Sequence, residues 1–463
     1  MKKKYVRWTL WTIASPFILF IILCILIYLP PIQNFLVDKA AVYASEATGM
    51  NISVGRISLS FPLNLVVTNV DAASPHNDTL LSVRRLQVNV QLLPLLKKQV
   101  EVDGISLQGA TVNSNDLIHG MKLNGTLGEL FISSHGVALD PETAIVNKVL
   151  LKDTDLSLCL NDTAAADTAA SDTTYWKIIL QDIDLQNVSF ALDMPLDSLS
   201  LAASLDNAIL RDGLIDLHKS AYSLQTFRIE NGRVRYDNGK PLAADSLSSG
   251  LDPSHIALTD IGVKLDSLYY GGRNMKAIIS QFVLKERSGV EIVSATGRMV
   301  SNDKVLRVPS LKLETRDSYL ELNAAMDWNA LDFKDEGLMS ARLMADIGKP
   351  DVVRFMGRMD EKFVRQYPSE PLRIRTGIDG DLNKLKLTTL TAELPGALGL
   401  FARGELTHLT DSLLRGGDIT LEAETKDLKF VSTLAEGIEI PYGTRLEGKF
   451  TMAGAKTVSY THL

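Results

Sequence analysis

Cysteine is almost absent: among 463 residues only Cys24 and Cys159 carry thiols. Cys24 lies inside an apolar stretch near the N-terminus, out of reach of Cys159, so no disulfide framework exists and folding rests on buried apolar surface. Aromatic residues are also scarce, 6% against 46% hydrophobic residues in all, which makes that surface Leu, Ile and Val. The seven histidines, His76, His119, His135, His218, His255, His408 and His462, are scattered, and none has the His-Glu framing of a zinc helix. No nucleophile elbow, phosphate-binding loop or dinucleotide fingerprint occurs. A sugar-cleaving carboxylate pair would want aromatic platforms that this composition does not supply. Nothing marks a catalytic, metal or cofactor site, which points away from an enzyme.

One fragment is similar to a calcium loop, with Asp379, Asp381 and Asn383 at alternate positions. Lys384 stands where that loop needs Gly and Leu390 where it needs a bidentate Glu. The fragment therefore reads as a polar hairpin turn, with Gly377 and Gly380 supplying the geometry.

Positive charge is short as well. The formal net charge is -7, and setting aside Lys2, Lys3, Lys4 and Arg7 leaves 44 basic against 55 acidic residues. So acidic a chain excludes a nucleic-acid footprint and disfavours adhesion to anionic lipid through charge.

What the chain does have is one long uncharged run, Trp8 to Leu29, behind that basic cluster. Thirteen of its residues are Leu, Ile or Phe. At the insertion scale's values they contribute roughly -4 to -8 kcal/mol, enough to carry Thr9, Thr12, Ser15 and Pro16 into a bilayer. Trp8, Leu10, Phe17, Ile22 and Leu29 mark this expected anchor. The core is too long for a cleaved signal, and Leu29-Pro30-Pro31-Ile32-Gln33 offers no small-x-small site. The positive-inside bias puts residues 1–31 as a cytoplasmic tail and single span, with the bulk of the chain carried across the membrane.

Helical spacing over 32–49, stopped by Gly49, predicts a juxtamembrane helix. Beyond it period two takes over: Ile57, Leu59 and Phe61; Leu86, Val88, Val90 and Leu92; Ile261, Val263 and Leu265; Leu320, Leu322, Ala324 and Met326. Leu372 and Ile374 with Leu385 and Leu387 predict a hairpin. A weak repeat runs through these strands, apolar-x-apolar, a polar or Gly step, then another apolar residue. It is seen from Ile105 to Val112, from Ile183 to Phe190 and from Phe227 to Val234, and Gly109, Asn187 and Asn231-Gly232 in the step predict a bulge or tight bend. Such repetition suggests an elongated stack of strands. Helix is expected only near 351–366, with a short second one over 428–435. Residues 161–174 are low in complexity and predict a loop between a β region over 50–160 and a repetitive one over 175–457. The aliphatic face of such strands either closes as a filled solenoid or sandwich or stays open as a groove for an apolar guest.

The apolar run, the helix after it, Ile52 to Leu59, Asp78 to Val83, Val88 to Leu96 and Val102 to Ala110 together resemble the opening of the AsmA-like family, in its TamB-like branch. The likeness covers roughly the first 115 residues. It implies an inner-membrane anchor with the bulk of the chain in the periplasm, and a mainly β fold: an N-terminal transmembrane helix, then an elongated, curled, repetitive antiparallel sheet with a few short helices. It also implies a groove that conducts phospholipid between inner and outer membranes, with Leu86, Val88, Val90, Leu92, Leu311, Leu313, Leu320 and Leu322 as expected lining. Support of outer-membrane protein assembly and secretion, through an Omp85-type outer-membrane barrel, is implied for a C-terminal region missing here. TamB-like chains are longer, and residues 458–463 resemble a translated adapter tail, so a truncated product is expected.

Asp-Ser/Thr-aliphatic or small tripeptides recur, and resemble an O-glycosylation signal of exported Gram-negative proteins. The hydroxyls are Thr79, Thr163, Thr168, Thr173, Ser198, Ser246, Ser267 and Ser412. Ordinary turn chemistry before a strand explains the same residues.

Overall fold

The computed structural model describes residues 39–462 apart from 40, 44 and 47 and the stretches 61–63, 75–77, 92–101, 115–119, 139–141, 162–174, 240–249, 334–336, 358–360, 435–441 and 454–455. The Trp8–Leu29 run lies outside them, and no helix among the described residues is long and apolar enough to cross a membrane. Most of the juxtamembrane segment is outside too. Its described positions from Lys39 to Thr48 are helical, and Gly49 follows with φ 69°.

The fold is mainly β and divides into two units, residues 1–197 and 198–463. In the first, strands β1 (Asn51–Ser60), β2 (Asn64–Ala73), β3 (Thr79–Val90), β4 (Val102–Asn113), β5 (Met121–Ala138) and β6 (Thr143–Leu160) form an antiparallel meander. The next strand, β7 (Lys177–Met194), pairs with β6 in parallel. A parallel neighbour needs a crossover of a dozen or more residues, and the low-complexity stretch supplies that length.

The sequence repeat has a definite structural counterpart here. Along each strand the residues of the apolar face follow a two-three-two spacing, as in Ile105, Leu107, Ala110 and Val112 or Ile183, Leu185, Val188 and Phe190. At the three-residue step the pairing is interrupted on all seven strands, and the interruptions face one another. They lie at Gly55, Asn69, Arg84, Gly109, Gly128, Asp153 and Asn187. Asn69, Gly109, Asp153 and Asn187 take φ between 49° and 61°. A residue turned into the left-handed region resets the alternation, so positions three apart share a face and the strand bends there. Strand approach across the crease is close. A Cβ on Gly128 would sit 2.8 Å from the Cβ of Asp153.

The second unit begins with β8 (Leu199–Asp216), β9 (Ala221–Leu224) and β10 (Thr226–Asp237). Both β9 and β10 lie between β8 and β11 (His255–Gly271), as one strand interrupted at Gln225. From there every strand is antiparallel to the one before: β12 (Asn274–Glu286), β13 (Glu291–Ser301), β14 (Val305–Thr315), β15 (Tyr319–Asp327), β16 (Met339–Ile347), β17 (Leu372–Gly380), β18 (Lys384–Leu394), β19 (Leu398–Thr407), β20 (Gly416–Thr425), β21 (Arg445–Ala453) and β22 (Lys456–His462). Two-three-two spacing returns in β14 (Leu306, Val308, Leu311, Leu313) and β18 (Leu385, Leu387, Leu390, Ala392), at register shifts in both. Asn231 and Asp260 are again left-handed, with φ 54° and 52°. Asp260 also holds Lys285 at 2.7 Å, and that hydrogen bond raises the lysine above its ordinary pKa.

Among the described residues three short helices interrupt the meander: α1 (Trp328–Leu331), α2 (Lys349–Phe355) and α3 (Glu361–Gln366). The single helix expected over 351–366 is thus two, because Gly357, at φ 74°, ends the first. The helix expected over 428–435 shrinks to a 3-10 turn at Val431–Thr433. There the Ser432 and Thr433 hydroxyls bond the carbonyls of Lys429 and Phe430, both at 2.6 Å, in competition with helical pairing.

Candidate functional site

Cross-strand register aligns the aliphatic residues into rows that run across the strands. In the first unit Ile57 faces Val67, and the row continues through Leu86, Leu107, Leu130 and Leu151 to Leu185 on β7. A neighbouring row passes through Val88, Ile105, Ile132, Val149 and Ile183. In the second unit a row runs from Phe227 through Leu265, Ile279, Gly297, Leu311, Leu322, Leu343, Thr376, Leu390 and Ala402 to Leu421. Ten inter-strand steps make it about 48 Å long. A parallel row takes Leu313, Leu320, Ala345, Ile374, Ala392 and Leu400. No residue in these rows carries a charge. The opposite face is polar, with pairs such as Arg375–Asp346 at 2.8 Å and Lys384–Glu405 at 3.3 Å. These are partly to largely exposed pairs that contribute little stability.

Exposure decides how this face is used. Leu86, Val88, Leu311, Leu313, Leu320 and Leu322 are all only partly buried. Among the described residues seventeen apolar ones are buried, and seven of those are alanine, including Ala208, Ala295, Ala345 and Ala402 within the sheet. In the second unit Ala345 and Ala402 are covered by their neighbours, whereas Leu311, Leu313, Leu320 and Leu322 keep part of their surface accessible. A second packed layer would reverse that order, since Leu, Ile and Val are the residues that packed interiors cover most often.

The covered part is local. Phe363, Tyr367, Leu394, Ala397, Leu428 and Phe430 form a buried cluster, with Leu372 and Leu398 packed against it. Leu372, Leu394 and Leu398 share the face of Ile374, Ala392 and Leu400 at the strand ends, so α3 and the 428–431 segment roof that end of the apolar rows. Burial pushes the Tyr367 hydroxyl above its usual pKa. Asp351 at the start of α2, 1% exposed, ties that helix to the β14–β15 turn. It accepts hydrogen bonds from Thr315 Oγ1, from Ser318 Oγ at 2.6 Å and from Arg354 Nη1 at 3.1 Å. Nothing in the sequence period signals this fastening; a buried carboxylate is visible only through its partners.

Of the expected lining residues, Leu86 and Val88 fall in the first unit's rows, and Leu311, Leu313, Leu320 and Leu322 in the second unit's. Val90 ends β3 opposite Val102, across a register shift, and Leu92 lies outside the described residues. So do Trp8, Leu10, Phe17, Ile22 and Leu29, and Thr163, Thr168, Thr173 and Ser246. Thr79, Ser198 and Ser412 are exposed, but Ser267 is 8% exposed, too covered to accept a sugar in the folded chain. Asp411 performs the turn chemistry, its Oδ1 accepting the Leu413 amide at 2.8 Å. The calcium-like fragment is a turn of the same kind, in which Asp381 Oδ1 accepts the amides of Asn383 and Lys384 at 2.9 and 2.8 Å. His255, 5% exposed, is fastened to Asp252 at 2.9 Å, and no group of three metal-ligating side chains occurs among the described residues.

No family model matches the chain, and no curated protein is significantly similar to it.

Proposed function

We propose that the chain is a membrane-anchored envelope protein of the AsmA-like, TamB-like type, carrying phospholipid acyl chains along its apolar β face between inner and outer membranes. One observation supports this above the rest: uncharged aliphatic rows continue from strand to strand while their long side chains stay half open. Left to water, such a face is costly at about 25 cal/mol per Å² of apolar surface. An acyl chain would remove that cost without demanding a fixed register, at about 0.8 kcal/mol for each methylene covered. Sliding along the rows needs that lack of specificity. A cargo-free scaffold would want the face filled. The Trp8–Leu29 run supports a single inner-membrane span with the β units in the periplasm. A role in outer-membrane protein assembly with an Omp85-type barrel rests on the family likeness alone.

Photo-reactive residues at Val88 and Leu322, one in each unit, test the reading in cells. Lipid captured at both is expected. Capture at neither, with the variants stably expressed, overturns it.

A further inference from the structure

The polar face of the first unit is unevenly charged. Strands β1, β2 and β3 carry Arg56, Arg84 and Arg85 against a single acid, Asp71, whereas β6 and β7 carry five aspartates against three lysines. The basic end thus belongs to the strands that follow the Trp8–Leu29 run most closely in sequence, in a chain whose formal net charge is -7.

The crease gathers these arginines. Arg56 pairs with Thr68 and Thr68 with Arg85, so two strand spacings, about 10 Å, separate Arg56 from Arg85 across the face. Between the apolar positions Val83 and Leu86 the three-residue step turns both Arg84 and Arg85 to the polar side, where an unbroken strand would send one of them to the apolar face. Arg84 lies across Gly109 of β4, where a Cβ would stand 3.0 Å from its Nε. All three arginines are exposed, and none forms an ion pair. Arg85 Nη2 donates only to the neutral Gln87 Oε1, at 3.2 Å. Their neighbours on the face include Ser58, Thr68 and Ser82, short and uncharged. Grouped like charges repel, so the fold itself gains nothing by collecting them.

We propose that Arg56, Arg84 and Arg85 dock on the phosphate-bearing headgroups of an anionic phospholipid surface, holding β1–β3 at the membrane in which the chain is anchored. The proposal rests on the membrane-anchor part of the function proposed above and not on acyl-chain carriage. Guanidinium groups match phosphate oxygens two at a time, and unpaired ones are free to do so. The 21 residues 30–50 tether β1 to the end of the apolar run, reaching about 75 Å at full extension, so the patch meets that membrane at a raised effective concentration. A long polyanion in solution would also meet the acidic strands β6 and β7. A membrane approached from the tethered end need not.

The test uses the full chain reconstituted in vesicles of equimolar phosphatidylcholine and phosphatidylglycerol, or of phosphatidylcholine alone. A photo-reactive residue is placed at Thr68, between Arg56 and Arg85, or at Gln186, at the β7 end of the same cross-strand row. Expected are phosphatidylglycerol adducts at Thr68 and none at Gln186. An Arg56→Gln/Arg84→Gln/Arg85→Gln variant, altered only at exposed and unpaired side chains, should lower the adduct yield at Thr68 by about a hundredfold, since each basic residue near an anionic surface contributes about fivefold. Equal capture at Thr68 and Gln186, equal capture from the two vesicle types, or a triple variant that captures as before overturns the patch. Flotation in 1 M salt, where attraction between charges is screened within about 3 Å, reports the anchor separately. A chain that floats with the vesicles yet gives no phosphatidylglycerol adduct at Thr68 overturns the patch and leaves the anchor standing. A chain that does not float overturns both.

Discussion

Asn187 donates its side-chain Nδ2 to Asp153 Oδ1 at 2.9 Å, and both residues hold a left-handed backbone, at φ 52° and 49°. They face each other on β6 and β7, at the line where all seven strands of the first unit change face. Asn and Asp tolerate this conformation because a short polar side chain can bond locally. A β-branched residue does not. Asn187→Val should cost about 1–3 kcal/mol, whereas Asn187→Gly should cost about 1 kcal/mol or less. Denaturant midpoints of the two variants check this, and equal losses would show that the left-handed step is not what matters.

The half-open face and the roofed cluster should respond differently to truncation. Phe363, 2% exposed among Tyr367, Leu394 and Phe430, leaves a cavity when shortened, so Phe363→Ala should cost about 3–5 kcal/mol. Leu322 already meets solvent on one side, so Leu322→Ala should cost about 1 kcal/mol. Comparable losses by urea unfolding would mean that the face is packed after all.

Asp351 is the fastening of α2. Asp351→Ala removes the acceptor for Thr315, Ser318 and Arg354 together, at about 1.5–3 kcal/mol for each hydrogen bond to a charged group. Amide exchange should report where the loss falls. Protection should drop at Val352 to Phe355 and stay intact in β17 and β18; uniform loss across the unit would refute a local fastening.

Asp418 on β20 accepts the Thr451 hydroxyl from β21 at 2.6 Å, and this bond, helped by Lys449 at 3.4 Å, holds its carboxyl below the usual aspartate pKa. A depressed carboxylate stabilises the fold above its unfolded pKa, and the contribution is lost as pH falls through the lowered folded value. Thr451→Val should bring Asp418 back toward the ordinary value. Carboxyl-carbon NMR titration reads this directly, and an unchanged midpoint would remove the hydroxyl as the cause.

Much of this architecture is legible in the residues. Alternation at Leu320, Leu322, Ala324 and Met326 announces a strand, and the repeat around Gly109, Asn187 and Asn231 announces the bend, because strand geometry is local and its period is fixed. Helix near 351–366 is legible too, but not its division, since a periodic pattern looks the same on either side of a Gly357 break. The roof of Phe363, Tyr367 and Phe430 is not legible. Its members come from segments separated by more than sixty residues.

By itself the sequence determined composition-bound properties: an acidic, disulfide-free, aliphatic chain behind one apolar run, with strand period nearly throughout and a recurring three-residue step. Period is a property of neighbouring residues and survives without a structure. Whether the aliphatic face is filled or open depends on what lies opposite it, which is a matter of distant segments meeting or failing to meet. Only the tertiary structure decided that the rows align across strands, that helices cover one end of them, and that Leu311, Leu322 and their neighbours remain half exposed.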